Sequence, residues 1–189
     1  MSGGSDEVEA RAAEVRVIRD PLYGDIRISD DVKSLIDTST FQRLHRIKQL
    51  STCDLVFPGA THSRFSHSLG AFHLASLIVE RLDKLHPGWI SELDSKLVRY
   101  AALLHDIGHP PYSHMLEDRT IFMTFHGHEA WGWKIIDDPN NDLILLMSKP
   151  LYAELLSTSS LTISPNLEAP LLGRSKPFLS KNFSILTEY

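Results

Sequence analysis

The stretch LVRYAALLHDIGHPPYSH, at residues 97–114, decides the fold and carries the most unusual chemistry of the sequence. Its first half has the apolar spacing of a helix, and Gly108 with the two prolines that follow predicts where that helix ends. His105 and Asp106 each lie four and eight positions after apolar residues, so both fall on apolar faces of the helix. We therefore expect an imidazole and a carboxylate to be at least partly buried at the helix end.

A buried carboxylate at this position needs a positively charged partner. Unpaired burial would cost several kcal/mol, and facing the negative end of the helix dipole adds about 0.3–1 kcal/mol. Two partners would remove this penalty: a divalent metal ion shared with His105, or an arginine such as Arg46 or Arg64. We favour the metal ion, because imidazole and carboxylate together suit Zn, Fe, Mn and similar ions. His67, at the start of the preceding helix, is the best-placed further ligand.

Histidines and basic residues are concentrated around this stretch. Nine of the ten histidines fall between residues 62 and 128. The segment from residue 39 to residue 67 contains four basic side chains against one acidic side chain. A local basic segment in a chain of net charge −5 suits a small anionic ligand better than a long polyanion, so nucleic acid is not an expected partner. The basic residues of this segment are Arg43, Arg46, Lys48 and Arg64.

Length and composition are those of one globular domain. The 189 residues are 42% apolar and 23% charged, which is ordinary for a soluble protein. No apolar run approaches the roughly 18 residues that a membrane span needs, and no signal-peptide pattern is visible. The single cysteine, Cys53, excludes an internal disulfide and agrees with a reducing compartment. We expect a soluble intracellular protein, cytoplasmic or, in a eukaryote, nuclear.

The apolar pattern predicts one nearly all-α domain with a small β-hairpin at its N-terminal side. Residues 14–18 and 25–28 alternate apolar and polar around the turn sequence DPLYG, which is typical of a hairpin. Residues 69–85 are apolar on most sides, so this helix should be buried in the middle of a bundle. The other predicted helices are 30–38, 39–50, 94–108, 112–118, 126–137 and 143–156. The chain divides into a disordered N-terminus at 1–14, a domain at 15–156, and a divergent tail at 157–189 that is disordered or truncated.

Four ordered stretches form a more specific pattern than the His-Asp pair alone. They are IDTSTFQRLHRIKQL at 36–50, VFPGATHSRFSHSLG at 56–70, LLHDIGHPPYSH at 103–114 and GHEAW at 127–131. Together they resemble the HD-domain phosphohydrolases, and within that family the branch of deoxynucleoside-triphosphate triphosphohydrolases. The resemblance covers about residues 15–140 and implies a helical bundle.

The resemblance implies a metal-dependent phosphohydrolase that converts a dNTP to a deoxynucleoside and inorganic triphosphate. The cofactor would be a divalent ion, whether Mg, Mn, Fe or Zn. Such an ion activates water for attack on phosphorus, and cationic donors stabilise the charge that develops on the phosphoryl oxygens. Similar dNTPases assemble into oligomers, so a homo-oligomer is expected. The implied metal ligands are His67, His105, Asp106 and a later aspartate. The implied substrate contacts are Gln49 and Arg64, and the catalytic histidines of the phosphate pocket are His109, His114 and His128.

The resemblance stops after about residue 150. Family members supply the last metal-binding aspartate from a later helix, whereas no aspartate follows Asp142 here, so Glu154 or Asp142 would have to substitute. The alternative function is therefore a non-catalytic or truncated module that keeps a metal or nucleotide pocket. Asp37 and Arg43 match family positions that are linked to nucleotide regulation in some members.

Overall fold

The computed structural model describes residues 16–117 and 127–143. Within these two ranges the chain forms an antiparallel β-hairpin and five α-helices, which confirms the expected all-α domain with a small hairpin. No helix in these ranges is long and apolar enough to cross a membrane. The elements are β1 (Arg16–Asp20), β2 (Gly24–Ile28), α1 (Asp30–Ile36), α2 (Ser39–Gln42), α3 (Arg64–Leu85), α4 (Glu92–Leu104) and α5 (His128–Ile136). The predicted disordered segment 1–14, the helix 143–156 beyond its first residue, His126 and the tail 157–189 lie outside the described residues.

The hairpin forms where the sequence predicts it, around a turn built from suitable residues. The Asp20 carboxylate accepts hydrogen bonds from two backbone N–H groups of the turn, at 2.8 and 3.0 Å. Gly24 closes the turn with a φ of 73°, a left-handed conformation that glycine adopts without steric cost. Ile26 and Ile28 enter the core because alternate residues of a strand point to the same face.

The predicted helix 39–50 is wrong beyond its first turn. α2 ends at Gln42, and the chain continues only as a 3₁₀ turn over Arg43–Arg46. Segment 47–49 instead pairs with segment 62–64 through two backbone hydrogen bonds of 2.8 and 3.0 Å. A contact between segments distant in sequence therefore overrides the local helical spacing. The apolar residues of the stretch are buried even so: Phe41, Leu44 and Ile47.

α3 is the longest helix among the described residues and packs along α4. Its N-terminus is capped by Ser63, whose hydroxyl accepts the N–H of Ser66 at 3.3 Å. Leu69 and Phe72 are among the residues of α3 that enter the core. The expectation of a helix buried in the middle of the bundle is wrong within the described part of the chain, because a second apolar face of α3 is exposed there. The exposed residues of that face are Leu74, Leu77, Ile78 and Leu85.

The sequence predicted that Gly108 ends a helix, and this prediction is wrong. Gly108 instead allows a close contact between two segments of backbone. α4 ends at Leu104, and the chain then turns through residues 105–108. A Cβ atom at Gly108 would overlap the carbonyl oxygen of His128 and the backbone nitrogen of Gly132. Glycine is needed here because the turn after α4 lies directly against the backbone of α5.

We expect Gly108→Ala to destabilise the domain, because the added methyl group would push α5 away from the turn. Overpacking typically costs about 1–3 kcal/mol, and a clash with backbone atoms places this variant at the upper end. Urea unfolding followed by circular dichroism gives the free energy of unfolding. Gly59→Ala is the matched control, since a Cβ atom there meets nothing within 4 Å. Equal stabilities of the two variants would contradict this packing argument.

Candidate metal and phosphate site

The three predicted metal ligands come from two helices that meet at one end. His67 lies on the first turn of α3, and His105 and Asp106 directly follow α4. One nitrogen or oxygen atom from each side chain lies within 4.8 Å of the other two, and His67 Nε2 is 3.2 Å from His105 Nε2. The structure therefore brings these residues, here called the ligand group, into an arrangement that could hold one ion.

Both histidines of the ligand group are suited to binding a metal. His105 Nδ1 lies 2.9 Å from the carbonyl oxygen of Ala102, which can only accept a hydrogen bond, so Nδ1 carries the proton. In the neutral ring, Nε2 then presents its lone pair to the ligand group, as in many metal-binding histidines. Burial lowers the pKa of His67, although the charge of Asp106 opposes this, and the neutral ring is the form that binds metals.

Asp106 is an ionised carboxylate with only 4% of its surface exposed. Burial alone would raise its pKa, but the hydrogen bond from His109 and the electrostatic effects of His105 and Arg64 hold the pKa well below its usual range. Arg64 donates from Nη1 to Asp106 Oδ2 at 2.5 Å. The arginine partner that sequence reasoning left open is therefore present, and it is Arg64.

The ion pair with Arg64 occupies only one of the two carboxylate oxygens. Asp106 Oδ1 lies 3.3 Å from His105 Nε2 and 3.3 Å from His109 Nε2. One carboxylate oxygen and two imidazole nitrogens form a donor set that suits a divalent transition-metal ion. The residues present therefore fit a metal ion in addition to the arginine, and the two expected partners do not exclude each other.

Asp142, one of the two expected substitutes for the last ligand, is engaged elsewhere. Its Oδ2 accepts hydrogen bonds from the N–H and the hydroxyl of Ser39 at 2.7 and 2.9 Å, and its Oδ1 accepts from the Thr40 hydroxyl at 3.1 Å. These contacts fix Asp142 at the start of α2. Glu154 lies outside the described residues, so the ligand group has three members in the part of the chain that the structure describes.

A second group of histidines adjoins the ligand group. His109, His114 and His128, here called the imidazole group, each offer one ring nitrogen within 4.8 Å of the others. The rings of His109 and His128 stack with their centroids 3.9 Å apart, and His114 meets His109 edge-on at 4.6 Å. Because His109 also contacts Asp106, the two groups form one continuous site.

The three imidazoles differ in exposure. His109 is 1% exposed, and burial lowers its pKa to about 4, although the hydrogen bond to Asp106 opposes this shift. His109 is therefore neutral near pH 7. His114 is exposed and His128 is partly exposed. These two rings are therefore more accessible to a ligand than His109 is.

The two residues expected to contact substrate lie at different depths. Arg64 is 1% exposed, and besides Asp106 it contacts Ser113, to whose hydroxyl Nε donates at 3.1 Å. It therefore lies beneath the ligand group. Gln49 is half-buried, and its side-chain oxygen has no hydrogen-bond partner among the described residues. A buried amide oxygen without a partner is unusual and could accept a hydrogen bond from a ligand.

The basic segment expected to attract an anion is largely satisfied within the fold. Lys48 forms an ion pair with Asp54, and Arg64 forms one with Asp106. Arg43 donates to two backbone carbonyl oxygens. Most of the positive charge counted from the sequence is therefore already engaged, and the imidazole group is the stronger candidate for contact with phosphate.

Ser113 joins several parts of the site, and sequence reasoning missed it. Its buried hydroxyl donates to the carbonyl oxygen of Lys48 at 2.9 Å and accepts from Arg64. Ser113 and the preceding Tyr112 have φ angles of 52° and 67°, which residues with a Cβ atom rarely adopt unless their surroundings impose them. Nothing in the local sequence signals this conformation, because it depends on contacts with residues far away in the chain.

The sequence is similar to a known domain and to several larger proteins. The family model described as HD domain matches residues 64–158. Deoxynucleoside triphosphate triphosphohydrolase SAMHD1 of Homo sapiens is 45% identical over 115 residues, which are 60% of this chain and 18% of that protein. The SAMHD1 homolog of Dictyostelium discoideum is 44% identical over 103 residues, 54% of this chain and 20% of the homolog. An uncharacterized protein of Methanocaldococcus jannaschii is 42% identical over 128 residues, 68% of this chain and 25% of that protein. The chain thus spans a quarter or less of each of these relatives.

We expect His105→Ala to weaken the binding of a divalent transition-metal ion by more than about tenfold, since even changes around metal ligands cost 10–100-fold. Mn²⁺ titration followed by electron paramagnetic resonance measures the affinity, and metal analysis after dialysis measures what the protein retains. His86→Ala is the matched control, because His86 contacts Trp89 and is not part of either histidine group. Equal affinities in the two variants would show that the ligand group does not bind the ion.

Proposed function

Because this chain belongs to the HD-domain family, we propose that it is a metal-dependent phosphohydrolase that converts deoxynucleoside triphosphates to deoxynucleosides and triphosphate. The family membership supports metal-dependent hydrolysis. The substrate class is suggested by relatives that are named deoxynucleoside triphosphate triphosphohydrolases. Since the chain spans only about a fifth of those two proteins, its own substrate range has to be measured.

The observation that carries the proposal is the 3.3 Å contact between Asp106 Oδ1 and His109 Nε2. It joins a group suited to a metal ion with a group suited to phosphate oxygens. Hydrolysis of a phosphate ester needs both, because a nucleophile must be generated and the charge on the phosphoryl oxygens must be stabilised. A single ion site without neighbouring donors would support binding but not this chemistry.

The chain's own residues have separate roles in the proposed reaction. A bound divalent ion would lower the pKa of a water molecule and polarise a phosphoryl oxygen. Asp106 would supply the negative charge that holds the ion, and the Nδ1 contact with Ala102 leaves the Nε2 lone pair of His105 available to it. His109, neutral near pH 7, donates its one ring N–H to Asp106 Oδ1 and so keeps that carboxylate in place. His114 or His128 gives a proton to the leaving oxygen.

Gln49 fits a contact with the nucleoside part of the substrate. Its buried side-chain oxygen can accept a hydrogen bond from a sugar hydroxyl, and such a contact would satisfy an acceptor that has no partner among the described residues. Arg64 acts in this proposal mainly through Asp106, since it is buried in an ion pair with that carboxylate. Its guanidinium still contributes positive charge close to where phosphate would bind.

One observation favours the alternative function, a non-catalytic module that keeps the metal or nucleotide pocket. Asp142 is held by Ser39 and Thr40 at the start of α2, so it does not supply the last ligand that the family pattern requires. A three-ligand site still binds a metal ion and leaves positions for water. The two functions differ in turnover, not in binding.

A nucleotide assay tests the proposed function directly. We expect purified protein with Mn²⁺ or Mg²⁺ to release triphosphate and a deoxynucleoside from at least one dNTP, measured by anion-exchange and reversed-phase chromatography. His105→Ala should lower kcat/KM by more than about 100-fold, whereas His86→Ala should leave it unchanged.

No turnover on any dNTP, with metal shown to be bound, would reject the proposed function. If dNTPs then raise the melting temperature of the metal-loaded protein, the non-catalytic module is the correct function, because a ligand that binds only the folded state stabilises it.

A further inference from the structure

Arg43 binds the backbone of the turn that carries the site. It lies on the 3₁₀ turn that follows α2, and its side chain reaches across to the segment after α4. Nη1 donates to the carbonyl oxygen of His109 at 2.8 Å, and Nη2 donates to the carbonyl oxygen of Ile107 at 2.5 Å. Both nitrogens are therefore directed at backbone groups within the fold.

The two carbonyl groups that Arg43 binds belong to a buried and closely hydrogen-bonded part of the chain. The turn uses its own N–H groups for short-range bonds, from Ile107 to Leu104 at 3.0 Å and from His109 to Asp106 at 3.1 Å. Ile107 and His109 are almost completely buried, and leaving a buried acceptor without a partner costs about 1–3 kcal/mol. A planar guanidinium with two parallel donors can bind both carbonyl oxygens at once, whereas a lysine ammonium presents a single point charge.

The two carbonyl groups lie on either side of Gly108. Glycine has the widest conformational freedom of any residue, so the direction of the chain into His109 has to be set by contacts. α5 contacts Gly108 on one side, and Arg43 holds the carbonyl groups before and after it. Together these contacts determine where the His109 ring lies relative to Asp106.

We propose that Arg43 is a positioning residue for the site, which fixes the backbone at residues 107–109 so that His109 and Asp106 meet. This inference rests on the proposed function of the site, and it differs from the nucleotide-regulatory role that the family resemblance implies for Arg43. Arg43 touches neither the substrate nor the ion. It acts through the contact that joins the ligand group to the imidazole group.

Three variants test this role by imidazole spectra, Mn²⁺ affinity and melting temperature. Arg43→Ala removes both hydrogen bonds, and Arg43→Lys keeps the charge but loses the planar pair of parallel donors. Arg46→Ala is the control because Arg46 is exposed on the same turn. Long-range ¹H–¹⁵N spectra of the metal-free protein report the tautomer and environment of each imidazole. Mn²⁺ titration by electron paramagnetic resonance reports the affinity of the ligand group.

We expect the His105 and His109 signals of Arg43→Ala to shift or broaden while the His86 signal stays unchanged. Mn²⁺ affinity should fall about 10–100-fold, the range found for residues that orient metal ligands. Arg43→Lys should show a smaller change in the same signals, and Arg46→Ala should match the parent protein in both measurements.

A lower melting temperature with unchanged imidazole signals and unchanged Mn²⁺ affinity would overturn the proposal, because Arg43 would then only stabilise the fold. Where Arg43→Ala does not fold, Arg43→Lys decides by the same criteria. Absence of Mn²⁺ binding in the parent protein would reject the proposed function, and the metal-free imidazole spectra would still decide the role of Arg43.

Discussion

Burial of the Asp106 carboxylate is the constraint around which the described part of the chain is arranged. The charge lies where α3 and α4 meet, and it is held by Arg64 from one helix and by His105 and His109 from the turn after the other. Removing one partner of a buried charge typically costs about 3–5 kcal/mol, because the remaining charge has lost its solvation. The relative placement of the two helices therefore depends on a carboxylate that also belongs to the ligand group.

The first turn of α3 contributes both to the pairing of the buried carboxylate and to the ligand group. Arg64 and His67 are three positions apart, so they lie on the same side of the helix. Arg64 provides a permanent positive charge at one carboxylate oxygen, and His67 joins the group at which an ion can bind. The carboxylate is thus kept ionised and oriented whether or not an ion is present. A site prepared in this way loses little energy to reorganisation when a ligand arrives.

The sequence predicted what depends on local pattern and missed what depends on distant contacts. The hairpin, α3, α4 and the grouping of His67 with His105 and Asp106 follow from turn chemistry, apolar spacing and the family resemblance. The early end of α2 could not be read locally, because it follows from pairing with residues 62–64. The close contact that requires glycine at position 108 could not be predicted for the same reason, since the contacting backbone belongs to α5. The roles of Arg43 and Ser113 rest on contacts to carbonyl groups, which carry no sequence signature.

The hydrogen bonds between Asp142 and the start of α2 have a consequence for the order of folding during synthesis. Ser39 and its carboxylate partner are separated by 103 positions, so α2 leaves the ribosome long before Asp142 has been made. The hairpin and the α3–α4 pair involve shorter separations and can assemble first. Closing so large a loop carries an entropic cost that only earlier packing can offset. The contacts between Asp142 and the start of α2 therefore form late, after the hairpin and the α3–α4 pair.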